Sequence, residues 1–285
     1  MSVHLVYITY NRLPYTRLSL PSILADPSEE FSLTIWDNAS EDGTQEYLKN
    51  EVNDPRIVDI VLSKENIGQT EAVNRIWDGS KSDFLGKLDN DCIMTPGWTR
   101  ALAEAHRDIE KLGAVACWHF FPDEFDYERA KHKIQTYGKH QILRHPWTCG
   151  TGLLIKRDTF HRMGPIRGKT TTKYWLEMAK VGYINGFYYP LIHQEHMDDI
   201  RSEHNLMRAQ NLSFAETYKH SPGYTGGATQ DLEEYNYWHE KILGNLLDDP
   251  YDYRAYVGWR ASFRYLKERF STAMHKRKRS APKSE

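Results

Sequence analysis

The chain has 285 residues, 40% apolar and 13% aromatic, which is enough to bury a core and excludes a disordered protein. Its formal charge of −2 hides an asymmetry: from Arg254 onward ten Lys and Arg face only Glu268 and Glu285, so the end is basic and the rest acidic. Three cysteines without close spacing (Cys92, Cys117, Cys149) argue against a disulfide framework or a thiolate zinc site and for a cytoplasmic setting, and no apolar run reaches the roughly 18 residues of a membrane span.

The first half alternates strand-like runs with helical patterns, the signature of a layered α/β sheet with mostly parallel strands. His4 to Thr9 reads as a buried strand, and Pro14 stands where a helix begins, ahead of Leu18, Leu20, Ile23 and Leu24. Ser32 to Trp36 is a second strand, ending in the turn-rich stretch Asp37 to Thr44, whose Ser and Asp suit a helix cap. Then follow a strand at Ile57 to Leu62, a helix at Thr70 to Trp77, and a strand at Phe84 to Leu88 that stops at Asp89-Asn90-Asp91. Gly97 to Leu112 reads as helical and Ala114 to Trp118 as extended, whereas Phe120 to Gln141 lacks a period and reads as a loop near a site. Cys149 to Ile155 and Ile184 to Pro190 read as strands, with short helices at Thr159 to Met163 and Tyr174 to Val181 between them. Beyond His196 the pattern is helical, broken at Ser221 to Gly227 and at Asp248-Asp249-Pro250. These patterns predict an α/β domain over 1–199 and, docked on it, a helical C-terminal extension with a basic tail over 200–285.

In open α/β sheets ligands collect at the carboxyl ends of the strands. Three such ends carry polar clusters here: Thr9-Tyr10-Asn11-Arg12, Asp37-Asn38 and Asp89-Asn90-Asp91. Two carboxylates one residue apart repel each other unless a cation lies beside them. A Mn²⁺ or Mg²⁺ ion takes oxygens from one or two carboxylates and fills its other positions with phosphate oxygens and water. Taken alone, both Asp clusters are also common turn caps.

Thr9-Tyr10-Asn11-Arg12, then Trp36-Asp37-Asn38-Ala39-Ser40-Glu41-Asp42-Gly43-Thr44, then Asn66-Ile67-Gly68 with Asn74, then Leu88-Asp89-Asn90-Asp91 stand in an order and spacing that resembles family 2 glycosyltransferases of the GT-A fold, a Rossmann-like mixed sheet. The match continues more weakly through Thr151-Gly152 to His196. The resemblance implies a nucleotide-sugar pocket formed by Thr9, Tyr10, Asn11, Arg12, Asp37, Asn38, Asn66, Gly68, Asn74, Asp89 and Asn90, with Asp37 accepting from the ring N–H of uracil or thymine. It also implies that Asp91 holds the Mn²⁺ or Mg²⁺ that stabilises the departing diphosphate, with a later histidine as a further ligand. His196, ahead of Met197-Asp198-Asp199, matches that histidine better than His193 does.

One element of the family is missing. The acidic pair expected ahead of the helix that ends at Gly182-Tyr183 falls near Thr170 and Thr171. Either another carboxylate deprotonates the acceptor, with Asp198, Asp199, Glu177 and the group Asp123, Glu124 and Asp126 as candidates, or configuration is retained and no base is needed. Trp118, His119 and Trp147 are a candidate acceptor platform, although tryptophans equally fill cores. Cys149 has no basic partner and reads as a packed residue. The implied activity is metal-dependent transfer of a sugar, UDP-linked in the first instance, to a hydroxyl of a glycan, a lipid-linked saccharide or modified nucleic acid. A sugar-nucleotide or glycan-binding module without catalysis, and a nucleotidyltransferase, are the alternatives. Finally, Tyr256, Trp259, Phe263, Leu266 and Phe270 recur at helical spacing with Arg260, Arg264, Lys267 and Arg269 between them, ahead of Lys276-Arg277-Lys278-Arg279. Packing on the body, peripheral contact with the inner membrane surface and nucleic-acid binding all fit this pattern.

Overall fold

Along β1 (Val3–Thr9), Leu5 and Tyr7 bury on one side of a sheet and Val6 and Ile8 on the other, so this strand is covered on both faces. The computed structural model describes residues 2–28, 31–168, 171–227 and 229–280. The chain continues through α1 (Leu13–Leu24), β2 (Phe31–Asp37), α2 (Thr44–Asn50), β3 (Ile57–Leu62), α3 (Gln69–Gly79), β4 (Phe84–Asp89), β5 (Cys92–Met94), α4 (Trp98–Asp108) and β6 (Leu112–Ala116). Next come α5 (Tyr127–Ala130), β7 (Ile134–Tyr137), β8 (His140–Arg144), β9 (Leu153–Lys156), α6 (Arg157–Met163), α7 (Thr172–Lys180), β10 (Ile184–Tyr189) and β11 (Gln194–His196). The rest is helical: α8 (Leu206–Ala209), α9 (Phe214–Tyr218), α10 (Pro222–Thr225), α11 (Leu232–Asp248) and α12 (Gly258–Ser280).

Nine strands form one sheet in the order β3-β2-β1-β4-β9-β6-β10-β8-β7, and β5 pairs with β11 in a separate ribbon. The sheet is less parallel than the alternating pattern predicts. β3, β2, β1 and β4 pair in parallel, as do β6 and β10, but β9 inserts antiparallel between β4 and β6, and β8 and β7 add antiparallel at the edge. The segment read as a loop from Phe120 to Gln141 contains α5, β7 and the start of β8. Charged residues mask its period, since Lys133 is buried there and donates to the Leu246 carbonyl. Gly138, at φ 61°, supplies the left-handed turn that joins β7 to β8.

One apolar layer gathers Leu20, Leu33, Trp98 and Leu102 under α1 and α4; the other gathers Trp36, Trp77, Trp118, Phe160 and Trp175 under α3, α6 and α7. α11 joins the second layer through Leu246 and Leu247, and Arg129 holds Asp248 with two hydrogen bonds of 2.8 and 2.6 Å. Of the C-terminal stripe, Tyr256 packs on Trp147 at 4.6 Å between ring centroids, whereas Trp259, Phe263, Leu266 and Phe270 are exposed. The side chains of Lys276-Arg277-Lys278-Arg279 lie outside the described residues. No helix among the described residues is long and apolar enough to cross a membrane.

The register of β10 depends on Gly186, which sits at φ 151° where an added Cβ would lie 2.2 Å from the Leu143 carbonyl oxygen. Gly186→Ala is therefore expected to lower stability by about 2 kcal/mol or more in urea unfolding, since backbone of the paired strand cannot give way.

Candidate functional site

The strand order reverses at β1, with β2 and β3 on one side and β4 on the other, and a cleft of about 860 Å³ opens at the carboxyl ends there. Because β9 runs against β4, its entry lies beside the exit of β4, and the Asp89 N–H donates to Thr151 Oγ1 at 2.9 Å. Of the residues expected at the site, Tyr10, Arg12, Asn38, Asn66, Gly68, Asn74, Asp89, Asn90, Asp91, His196 and Asp198 line this cleft.

Three others expected in the nucleotide-sugar pocket do not. Thr9 is buried against Thr16 Oγ1 at 3.0 Å. Asn11 is tied into the backbone, its N–H donating to Ser40 Oγ (2.7 Å) and its side-chain oxygen accepting from the Glu41 N–H (2.9 Å). Asp37 is wholly buried, with Oδ1 accepting from the Ser40 N–H and Gln45 Nε2, and Oδ2 has no hydrogen-bond partner among the described residues. Two residues on the lining also serve the scaffold. Asn90 is buried with Nδ2 against Thr9 Oγ1, the Asn11 carbonyl and Thr16 Oγ1, while Asn74 makes two hydrogen bonds to the backbone of Ile166.

Arg12 organises the charge. Asn11 and Arg12 both adopt left-handed backbone, at φ 54° and 59°, a conformation that costs of order 1 kcal/mol for a residue with a side chain. That turn aims the guanidinium between two carboxylates, with Nη2 donating to Asp91 Oδ2 at 2.8 Å and Nη1 to Asp198 Oδ2 at 2.7 Å. Burial pushes the Asp91 carboxyl up, but Arg12 and then His196 outweigh it and hold it at about 2. Asp91 is thus anionic.

The donor set fits a hard divalent cation. His196 Nε2 stands 3.8 Å from Asp91 Oδ2, and Asp198 Oδ1 is buried with no hydrogen-bond partner among the described residues. Cys92 Sγ is also close, but burial pushes its thiol well above the ordinary range, which leaves it a poor ligand. Arg12 already shares Asp91, so an ion there would divide that carboxylate with the guanidinium. His193 belongs elsewhere, beside Pro122 and Tyr189, and forms no part of the cluster.

Behind Asp89 lies a residue that sequence reasoning missed. Lys87, buried in β4, places Nζ 2.7 Å from both oxygens of Asp89 and from the Gly150 carbonyl. A lysine inside Phe84-Leu85-Gly86-Lys87-Leu88 was the readable signal, because a buried ammonium requires a partner. Gly152, at φ 59°, makes room for Gln194, whose Oε1 would be 2.1 Å from a Cβ there.

His196 also borders two further cavities. One, of about 480 Å³, is lined by Asp89, His119, Trp147 and Thr171; the other, of about 390 Å³, lies between His119, His196 and Asp199 on the body and Tyr235, Trp238 and His239 of α11. Burial pushes His119 down to about 3, so its ring is neutral. Trp118 is fully buried among Phe120, Phe125 and Phe187 and is a core residue, which corrects its assignment to the acceptor platform. Cys149 stays a thiol, pushed by burial to about 11.

The carboxylates considered as a base separate clearly. Glu177 pairs with Lys180 on α7 and lines none of these cavities. Asp123 pairs with Arg201 at 2.7 Å, and Asp126 caps α5 by accepting from the Arg129 N–H. Glu124 meets His239 Nε2 at 2.8 Å, while Nδ1 of the same ring lies 3.5 Å from Asp199 Oδ2. Asp199 is the one carboxylate among the described residues lining the 390 Å³ cavity. Thr170 lies outside the described residues, and Thr171 borders the 480 Å³ cavity.

Comparison with known proteins identifies solved structures of similar fold. Over 93% of this chain and 84% of the other, the structure is similar to a mannosyltransferase from Pyrobaculum calidifontis in complex with GDP-Man and Mn²⁺, at 18% identity and a TM-score of 0.55. It is similar to GalNAc-T7 with UDP, GalNAc and Mn²⁺ over 69% of this chain and 44% of that one, at 14% identity and a TM-score of 0.51. It is also similar to residues 1–349 of S. aureus TarS over 87% and 81% of the two chains, at 11% identity and a TM-score of 0.50. No curated protein sequence matches the chain. The sequence model of glycosyl transferase family 2 matches residues 5–167, more than half of the chain, and the protein is a family 2 glycosyltransferase with the GT-A fold.

Proposed function

We propose that this protein moves a sugar from a UDP-linked donor to a hydroxyl acceptor, with a Mn²⁺ or Mg²⁺ ion held by Asp91 and His196. The observation that carries the reading is the meeting of an anionic Asp91 and the His196 imidazole, 3.8 Å apart, where the 860 Å³ cleft joins two further cavities. A metal ion there would supply positive charge to the departing diphosphate. The ligands of two structural neighbours, a nucleotide sugar or nucleotide with Mn²⁺, support the donor class. For uracil in particular, support comes from the UDP bound in one of those neighbours; Asp37, buried behind Asn38, does not line the cleft and would have to be uncovered to meet a ring N–H.

In this reading Tyr10, Asn38 and the Asn66 to Gly68 turn wall the nucleoside. Lys87 fixes both oxygens of Asp89 so that its open edge accepts hydroxyls of ribose or sugar. Residues 1–199 form the catalytic unit, and the extension over 200–285 closes it by bringing Tyr235 and Trp238 opposite His119. Their rings present apolar faces of the kind that stack on a saccharide acceptor. Asp199, flanked by His239, is the group placed to take the acceptor proton, which replaces the acidic pair missing near Thr171 and implies inversion at the anomeric carbon.

The direct test is UDP release in the presence of Mn²⁺ from a panel of UDP- and GDP-sugars. Turnover of a UDP-sugar that rises with acceptor is expected; saturable binding without turnover, or pyrophosphate from a nucleoside triphosphate, would overturn the reading. Asp91→Asn keeps a hydrogen-bond acceptor for Arg12 and should lower kcat at least about 100-fold with an unchanged melting temperature. Asp199→Asn should also lower kcat at least about 100-fold while leaving donor affinity, measured by calorimetry, unchanged.

A further inference from the structure

The last helix is turned the wrong way for one docked on a body by its apolar face. At about 100° per residue, Trp259, Phe263, Leu266, Phe270 and Met274 fall within about 80° of one another on one face of α12. The first four are 75, 65, 62 and 69% exposed. The opposite face makes the contacts. Arg264 pairs with Asp249 and covers the Tyr256 ring, the Tyr237 hydroxyl lies 3.3 Å from Ser271 Oγ, and His275 stacks on Tyr237 at 4.0 Å. Polar residues therefore hold the helix to the protein while its aromatic stripe points away.

The edges of the stripe are basic. Arg260 and Lys267 run along one side and Arg269 along the other, all exposed, and the one acid of the helix, Glu268, falls on the far face. A second copy of the chain laid on this face would bring the same cations against each other. Duplex nucleic acid would neutralise the cations and leave the stripe in water, and a single strand would offer flat bases to Trp259, Phe263 and Phe270 but no apolar partner to Leu266 and Met274. An anionic lipid surface answers both requirements, with headgroups for Arg and Lys and an acyl boundary for Trp, Phe and Leu.

We propose that α12 lies in the plane of an anionic lipid surface, with Trp259, Phe263, Leu266 and Phe270 at the acyl boundary and Arg260, Lys267 and Arg269 among the headgroups. The stems of the basic residues lie over the rim of the stripe and their heads reach the phosphates. This contact is independent of the donor and acceptor assignments, and it would hold the protein at a membrane without crossing it.

The test is co-sedimentation of the full chain with phosphatidylcholine vesicles and with mixed phosphatidylcholine and phosphatidylglycerol vesicles, over a range of salt. Binding to the mixed vesicles, weakened by salt, is expected. The double variant F263E/F270E should reduce it at least about tenfold through the lost apolar contact, and R260Q/K267Q/R269Q at least about tenfold through the lost charges. Both variants should keep the wild-type melting temperature, since none of these side chains packs on the body. Brominated lipid should quench less fluorescence in W259F than in the wild type. Absence of vesicle binding, vesicle binding unaltered by either multiple variant, a concentration-dependent dimer abolished by F263E/F270E in its place, or salt-sensitive DNA binding without lipid binding would each overturn the proposal.

Discussion

Two carboxylates facing the same partly buried cleft cannot both stay charged without a cation between them, and Arg12 is that cation. Its guanidinium ties the end of β1 to the turn after β4 and to the segment that follows β11, three places far apart in the chain. The backbone there is held in a costly left-handed conformation by bonds from Ser40, Glu41 and Asn90. Taking away Arg12 would leave two anions facing each other. One guanidinium against two carboxylates leaves a negative charge over for a cation to meet, while the geometry belongs to the folded chain itself.

The topology then decides which other residues reach that centre. Inserting β9 antiparallel places Thr151 beside Asp89, and the β5 and β11 ribbon carries His196 over Asp91. α11 completes the enclosure from the far end of the sequence, with Leu246 and Leu247 sunk in the same apolar layer as Trp118 and Trp175. The helical extension is thus part of the wall around the site. His239 reaches from it to within 2.8 Å of Glu124 and 3.5 Å of Asp199.

Much of this was legible in the amino-acid order. Apolar runs that end abruptly in Thr9-Tyr10-Asn11-Arg12, Asp37-Asn38 and Asp89-Asn90-Asp91 mark strand ends, and a reversal of strand order brings two of those ends together. His196 was separable from His193 because of the Met-Asp-Asp that follows it. Long-range pairing was not legible. Nothing local in Trp118 says that Phe120, Phe125 and Phe187 surround it, and the β7 and β8 hairpin was hidden by polar residues such as Lys133, buried against the Leu246 carbonyl, and His140, buried against Asp108 and Tyr188. Asn90 looked like a ligand-facing residue, yet its amide also clasps the β1 turn, a role visible only when β1 and β4 lie side by side. The helical period of α12 was plain, but which side of it would face the protein depended on partners in α11.

Lys87 and Asp89 have a consequence for the history of this sequence. With the ammonium sealed in β4 and both carboxylate oxygens on it, Asp89 cannot change by itself without stranding a positive charge in the sheet, and losing Lys87 would leave Asp89 unpaired at the cleft. Any lineage that abandons one must replace the other in nearly the same step. Among descendants of this gene the two positions should covary as a linked pair, while the exposed residues around them diverge independently.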